Sequence, residues 1–316
     1  LRRSEPVFDH QEDAWFVEDL LAELRRSSFS WRSVRAVLPV FYARARDEVC
    51  GNPDLARSIL GWGLAFFAAQ FVFCALLSLR LDHQLAVRCL VAGSVWLVLS
   101  CGWVLAHAGM VKDPAGSRIE RLTVPILLTL SRSLLIPPIV LSAIGGHLVL
   151  AAFLFAVGGI TDVLDGVSAR TLGQETRMGA IMDHLVDVIF TAATFLSLVW
   201  AGVLSPWIGV LVVVRYFLMI FGGAFIYLFK GPVRIKPTTF GKFSGVILCL
   251  MILLQIGVTV YGTPEQAVRI SELLFVGFLA LLSMTILQVL FIGWYNLNRA
   301  AKSTGLPKVI RGISWR

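Results

Sequence analysis

Eight segments of this chain are each about twenty residues long and almost free of charge. They run over about 59–79, 85–108, 124–144, 147–164, 185–204, 208–229, 243–261 and 271–294. A helix of ~20 apolar residues crosses the ~30 Å hydrocarbon core of a bilayer. There it satisfies its backbone hydrogen bonds internally, which an open sheet cannot do. The chain is therefore expected to be an all-α, polytopic membrane protein. Composition agrees: 57% of the 316 residues are hydrophobic and 15% charged, where a soluble domain carries about 25% charge. Mean hydropathy is +0.79.

The formal net charge is +8. In a soluble protein that excess would point first to nucleic acid. Here it falls in loops and termini, as expected of cytoplasmic segments, and no nucleic-acid partner is expected. Loops after the second, fourth and sixth segments hold Lys112, Arg118 and Arg121, then Arg170 and Arg177, then Lys230, Arg234, Lys236 and Lys242. Loops after the third and fifth segments hold no Lys or Arg. The bias places both termini in the cytoplasm, and a bacterial inner membrane is the expected location. Cys50, Cys74, Cys89, Cys101 and Cys249 show no CxxC spacing, so neither a zinc site nor a disulfide framework is expected. The acidic N-terminus lacks the apolar run of a signal peptide.

Four regions follow. Residues 1–58 are mixed and charged, with an amphipathic helix expected over 13–26 and an Arg- and aromatic-rich stretch over 31–46 suited to the headgroup level. Residues 59–115 hold two membrane helices, read as accessory. A polar break at 114–116 precedes 116–295, a six-helix membrane domain carrying nearly all the unusual polar residues. Residues 296–316 form a basic tail.

The stretch 162–187 reads DVLDGVSARTLGQETRMGAIMDHLVD. Asp162 and Asp165 are three apart, and Asp183 and Asp187 four apart, so each pair shares a helix face. The pairs are expected at the end of the fourth segment and the start of the fifth, facing one point. Clustered carboxylates beside an apolar slab repel unless compensated. A hard divalent cation such as Mg²⁺, Mn²⁺ or Ca²⁺ would compensate them. Such ions carry substrate phosphates, and two close together could neutralise a diphosphate leaving group. Gly166 and Gly179 permit close approach, Ala169 keeps the face small, and Arg170 offers a fork of donors to phosphate.

Further along the argument, Thr129 and Arg132 lie three apart within the third segment. An arginine inside a span calls for a partner, here the aspartates or a substrate phosphate. Pro137 and Pro138 are expected to kink that helix. Arg215 lies inside the sixth segment, and Lys236 and Lys242 follow it. Together with Arg132 they form the candidate set for an acceptor or phosphate.

These residues resemble those of the CDP-alcohol phosphotransferases. That family's signature, D-x2-D-G-x2-A-R-x8-G-x3-D-x3-D, is complete here as Asp162, Asp165, Gly166, Ala169, Arg170, Gly179, Asp183 and Asp187. The helix before it in the family often reads P-N-x-x-T-x-x-R-x4-P. Pro125, Thr129, Arg132 and Pro137 match it, with Ile126 in place of Asn. Gly241 and Lys242 resemble the family's loop before its fifth helix. The resemblance spans about residues 118–295 and leaves the two preceding helices as an addition to a six-helix core.

The resemblance implies a homodimer that transfers a substituted phosphoryl group from a CDP-linked donor to an alcohol and releases CMP. It implies two ions of Mg²⁺ or Mn²⁺ held by Asp162, Asp165, Asp183 and Asp187. Asp187, supported by Asp183, would be the catalytic base. Gly166, Ala169, Arg170, Gly179 and Thr129 would contact CDP. CDP-diacylglycerol is the expected donor and glycerol 3-phosphate the expected acceptor. The converse transfer, of a CDP-linked head group to a lipid alcohol such as diacylglycerol, uses the same residues. A transporter or scaffold is the other class, since charged spans occur there too. CMP release separates it from both.

Overall fold

The computed structural model describes residues 49–108, 111, 119–174, 176–225 and 239–303, with scattered positions between 31 and 47. The expected amphipathic helix at 13–26, most of 31–46, the break at 114–116, the basic loop with Lys230, Arg234 and Lys236, and the tail beyond 303 lie outside the described residues. Every regular element among the described residues is helical: α1 (Pro53–Arg80), α2 (His83–Ala106), α3 (Val124–Leu134), α4 (Ile136–Ile144), α5 (Leu148–Leu172), α6 (Arg177–Trp200), α7 (Pro206–Phe217), α8 (Thr239–Tyr261) and α9 (Pro264–Ser303). A π-helical turn, Leu218–Gly222, continues α7. Eight helices, with α3 and α4 forming one interrupted span, are long and apolar enough to cross a membrane. The protein is a multi-pass integral membrane protein.

Local signals set the helix boundaries. Asn52 caps α1 by accepting from the Leu55 amide at 3.2 Å, with Pro53 at the first helical position. Its missing N–H is no loss there. Asp82 caps α2 by accepting from the Gln84 amide at 2.8 Å. The α3–α4 span breaks at Leu135, just before Pro137 and Pro138. Neither proline can donate to the carbonyl four residues back, and the helix is interrupted where a kink is expected. Gly146, at φ 80°, turns the chain between α4 and α5. That left-handed conformation suits glycine and keeps the very short connection between two full helices.

The chain divides into two compact units. One comprises Leu1–Gly145 and Phe153–Phe190, the other Gly146–Ala152 and Thr191–Arg316. In the first, α1 and α2 pack together through a glutamine inside the pair. The Gln70 amide donates to the Leu90 carbonyl at 3.0 Å, across Gly93, where any Cβ would collide with it. A small residue opposite a polar one is a common way for membrane helices to approach closely. The same unit joins α1 and α2 to the aspartate-bearing helices. Leu55, Ile59, Val104 and Val111 share one buried cluster with Ile126 and Leu130 of α3 and Met178, Met182 and Val186 of α6. The Trp96 indole donates to Ser133 Oγ at 2.8 Å, the Asn52 amide to the Ile119 carbonyl at 3.1 Å, and the Leu122 amide to Ser58 Oγ at 3.1 Å. In the second unit, Phe195 and Phe278 meet edge to face at 5.8 Å. Gln255 donates to Ser271 Oγ at 3.0 Å, joining α8 to α9.

The turn between α5 and α6 places the two aspartate pairs. Gly173, at φ 62°, ends α5. Thr176 then caps α6: its Oγ1 accepts from the Gly179 amide at 2.9 Å. A Cβ on Gly179 would come 2.8 Å from that oxygen and 3.6 Å from Ile126 of α3. The glycine of the signature thus has a packing reason here, because it lets cap and helix close on α3.

Two outcomes are expected. A chain starting near residue 112 should keep its aspartate helices but melt well below the full chain in detergent, since the buried faces of Ile126, Leu130 and Met182 lose their partners. Thermal unfolding of purified, monodisperse protein checks this. Gly179→Ala should cost about 1 kcal/mol through the lost cap. In a Thr176→Ala background, where no cap remains to disturb, it should cost clearly less, which a double-mutant cycle measures.

Candidate active site

All four signature aspartates lie within helices. α5 continues past the expected end of its apolar segment to Leu172, and α6 begins at Arg177, ahead of the expected start. The reason is that Gly173 and Thr176 compress the connection to a single turn. Asp162 and Asp165 therefore project from the last turns of α5, and Asp183 and Asp187 from the early turns of α6.

Three of the four converge. One carboxylate oxygen each from Asp162, Asp183 and Asp187 lies within 4.8 Å of the others. Their side chains are about half exposed, at 49%, 42% and 47%. Asp165 stands apart and is buried. A step of three residues carries it about 4.5 Å along the α5 axis from Asp162. Its carboxylate accepts from the Thr129 hydroxyl, whose oxygen also lies 3.0 Å from the Pro125 carbonyl oxygen. The expected meeting of four carboxylates is three together and one held by α3.

Arg132 sits among the three. Its side chain is only 2% exposed. Nη1 donates to Asp162 and lies 3.1 Å from Asp187, and Nη2 donates to Asp183 at 2.6 Å. Thr129 and Arg132, one turn apart on α3, thus engage all four aspartates. Thr129, expected to contact CDP, and Arg132, expected to meet the aspartates or a phosphate, both lie against the carboxylates. Gly166 follows Asp165 on α5 and is half-buried. Ala169 and Arg170 belong to the same helix, with side chains outside those described.

Arg215 belongs to the second unit, in the last turn of α7. Its guanidinium carbon lies 5.2 Å from the centre of the Tyr216 ring. Its Nε is buried without a hydrogen-bond partner among the described residues. Lys236 lies outside the described residues, and of Lys242 only its place in α8 is described. Thr176 and Trp96 escaped the sequence reading. A threonine three residues before the glycine that opens a helix is a readable capping signal. Trp96 carried none, because its partner is 37 residues away.

The site fits a hard cation. It offers oxygen donors only, from three converging carboxylates without Cys or His, as divalent ions such as Mg²⁺ or Mn²⁺ prefer. Among the described residues this is the group able to hold a metal ion.

Comparison with known proteins agrees with the geometry. The family model for CDP-alcohol phosphatidyltransferases matches residues 122–295, which include every signature residue. A CDP-diacylglycerol–glycerol-3-phosphate 3-phosphatidyltransferase of Aquifex aeolicus is 36% identical over 139 residues, covering 43% of this chain and 76% of its own. A probable cardiolipin synthase (CMP-forming) of Drosophila melanogaster is 31% identical over 123 residues, covering 39% of this chain and 37% of its own. A probable phosphatidylglycerophosphate synthase of Mycobacterium tuberculosis is 35% identical over 95 residues, covering 28% of this chain and 46% of its own. The chain thus spans less than half the length of the latter two. No solved structure matches the chain significantly. With a complete signature and a family match over more than half its length, this chain belongs to the CDP-alcohol phosphatidyltransferase family.

Proposed function

We propose that this protein transfers a phosphatidyl group from CDP-diacylglycerol to glycerol 3-phosphate, releasing CMP, in phospholipid biosynthesis. The observation that carries the reading is the convergence of Asp162, Asp183 and Asp187 within the signature. Similarity to the Aquifex enzyme, named for that donor and acceptor, supports the choice of substrates.

In the proposed reaction the acceptor oxygen bonds to the phosphorus that carries diacylglycerol. The bond from that phosphorus to the CMP oxygen breaks, and CMP leaves with the electron pair. The acceptor proton passes to Asp187, assisted by Asp183. Asp162, Asp165, Asp183 and Asp187 are assigned to two divalent ions, Mg²⁺ or Mn²⁺. When bound there, such ions would supply Lewis-acid polarisation and charge neutralisation. Gly166, Ala169, Arg170, Gly179 and Thr129 are assigned to CDP, with Arg170 offering a planar fork to phosphate oxygens. Holding donor and acceptor in line is the larger part of such catalysis. Arg215, with Lys236 and Lys242, is assigned to the acceptor phosphate, supported by the unpartnered Nε of a guanidinium inside a span. The working form is proposed as a homodimer with both termini cytoplasmic.

Purified protein should release CMP from CDP-diacylglycerol with glycerol 3-phosphate. Exhaustive EDTA treatment should abolish the release, and Mg²⁺ or Mn²⁺ should restore it; full activity after EDTA would exclude the metal reading. Arg215→Ala should raise the acceptor KM about tenfold or more, with donor KM nearly unchanged. In a panel of radiolabelled acceptors, read by lipid chromatography, glycerol 3-phosphate should be preferred. Preference for an uncharged or cationic alcohol over every phosphorylated polyol would overturn the acceptor assignment.

A further inference from the structure

Among the described residues Arg132 is the largest of the fully buried side chains. A guanidinium does not shed its proton at any pH a protein meets, so buried it must be met by negative charge. Three carboxylates meet it through its two terminal nitrogens, while Nε has no hydrogen-bond partner among the described residues. Those carboxylates come from α5 and α6, and they are the same three whose oxygens converge as candidate metal ligands. Arg132 also lies in the last turn of α3, where the helix dipole favours a cation. Its neighbour Ser133 is tied to Trp96. The charge is therefore fixed in place rather than borne on a mobile stem.

A fixed cation among metal ligands has two opposed effects. It holds mutually repelling carboxylates from two helices together, which favours folding. It also repels a divalent ion and competes for the same oxygens, which opposes metal binding. One guanidinium leaves the three carboxylates net negative, so the cluster still attracts a cation. We propose that Arg132 is the resident counter-cation of the carboxylate cluster, stabilising the α5–α6 pair while weakening its affinity for divalent metal. The proposal rests on the metal-dependent reading above. It differs from a purely structural ion pair, whose loss would leave metal affinity equal or lower. It differs also from a phosphate contact, whose loss would be felt only with nucleotide present.

The test uses the full chain in detergent, without nucleotide. Mn²⁺ is titrated into wild type, Arg132→Gln and Arg132→Lys, with free ion read by electron paramagnetic resonance. Melting temperatures are measured in EDTA and in saturating Mn²⁺. Arg132→Gln is expected to bind Mn²⁺ roughly tenfold tighter or more, given the close like charge removed. It should melt below wild type in EDTA and gain more on adding Mn²⁺. Arg132→Lys keeps the charge but loses the fork, and should bind severalfold tighter than wild type. It carries the test if the Gln variant does not fold. Folded variants that bind Mn²⁺ no tighter than wild type overturn the proposal and leave the metal reading standing. Absence of Mn²⁺ binding by wild type and variants alike overturns the metal reading, and the proposal with it.

Discussion

A buried guanidinium must be answered by carboxylates, and the first unit is organised around that requirement. Arg132 projects from the end of α3 into the space where α5 and α6 bring Asp162, Asp183 and Asp187 together. Without the cation, three close carboxylates would push the two helices apart. Without the carboxylates, the arginine could not be buried. One helical turn earlier, Thr129 secures Asp165. A single face of α3 thus fixes the orientation of every signature aspartate.

That arrangement requires α3 itself to be rigid. This helix also supplies Ile126 and Leu130 to the buried cluster shared with α1, α2 and α6. Trp96 and Ser58 add hydrogen bonds from the N-terminal pair to α3 and its entry strand of chain. In lipid such helix association draws on packing and hydrogen bonding rather than water exclusion, so these few polar ties carry more of the specificity than they would in a soluble core. The two helices that lie before the family match are, by packing, part of the unit that holds the aspartates. Their contribution to catalysis is a separate matter from their contribution to order.

The same geometry suits phosphoryl transfer. Little covalent chemistry is asked of the protein in such a reaction; charge and position dominate. An all-oxygen cluster of three half-exposed carboxylates could coordinate one divalent ion.

Much of this was legible in the sequence, for identifiable reasons. Helices in a bilayer must satisfy their own backbone, so apolar length alone determined eight spans. Aspartates at spacings of three and four in a complete signature determined the family. Asn52 and Pro53 marked the start of α1 and Pro137–Pro138 the break before α4, because capping and missing N–H groups act locally. Other features depend on distant chain and were decided only in three dimensions. Arg132 found carboxylates 30 to 55 residues away, and no spacing rule says which of several acidic partners a buried cation will take. Asp165 left the cluster for Thr129 because its turn of α5 faces α3. Trp96 meets Ser133, and Gly179 packs against Thr176 and Ile126. Local chemistry sets which groups must be compensated; only packing of the helices selects the partner that does so.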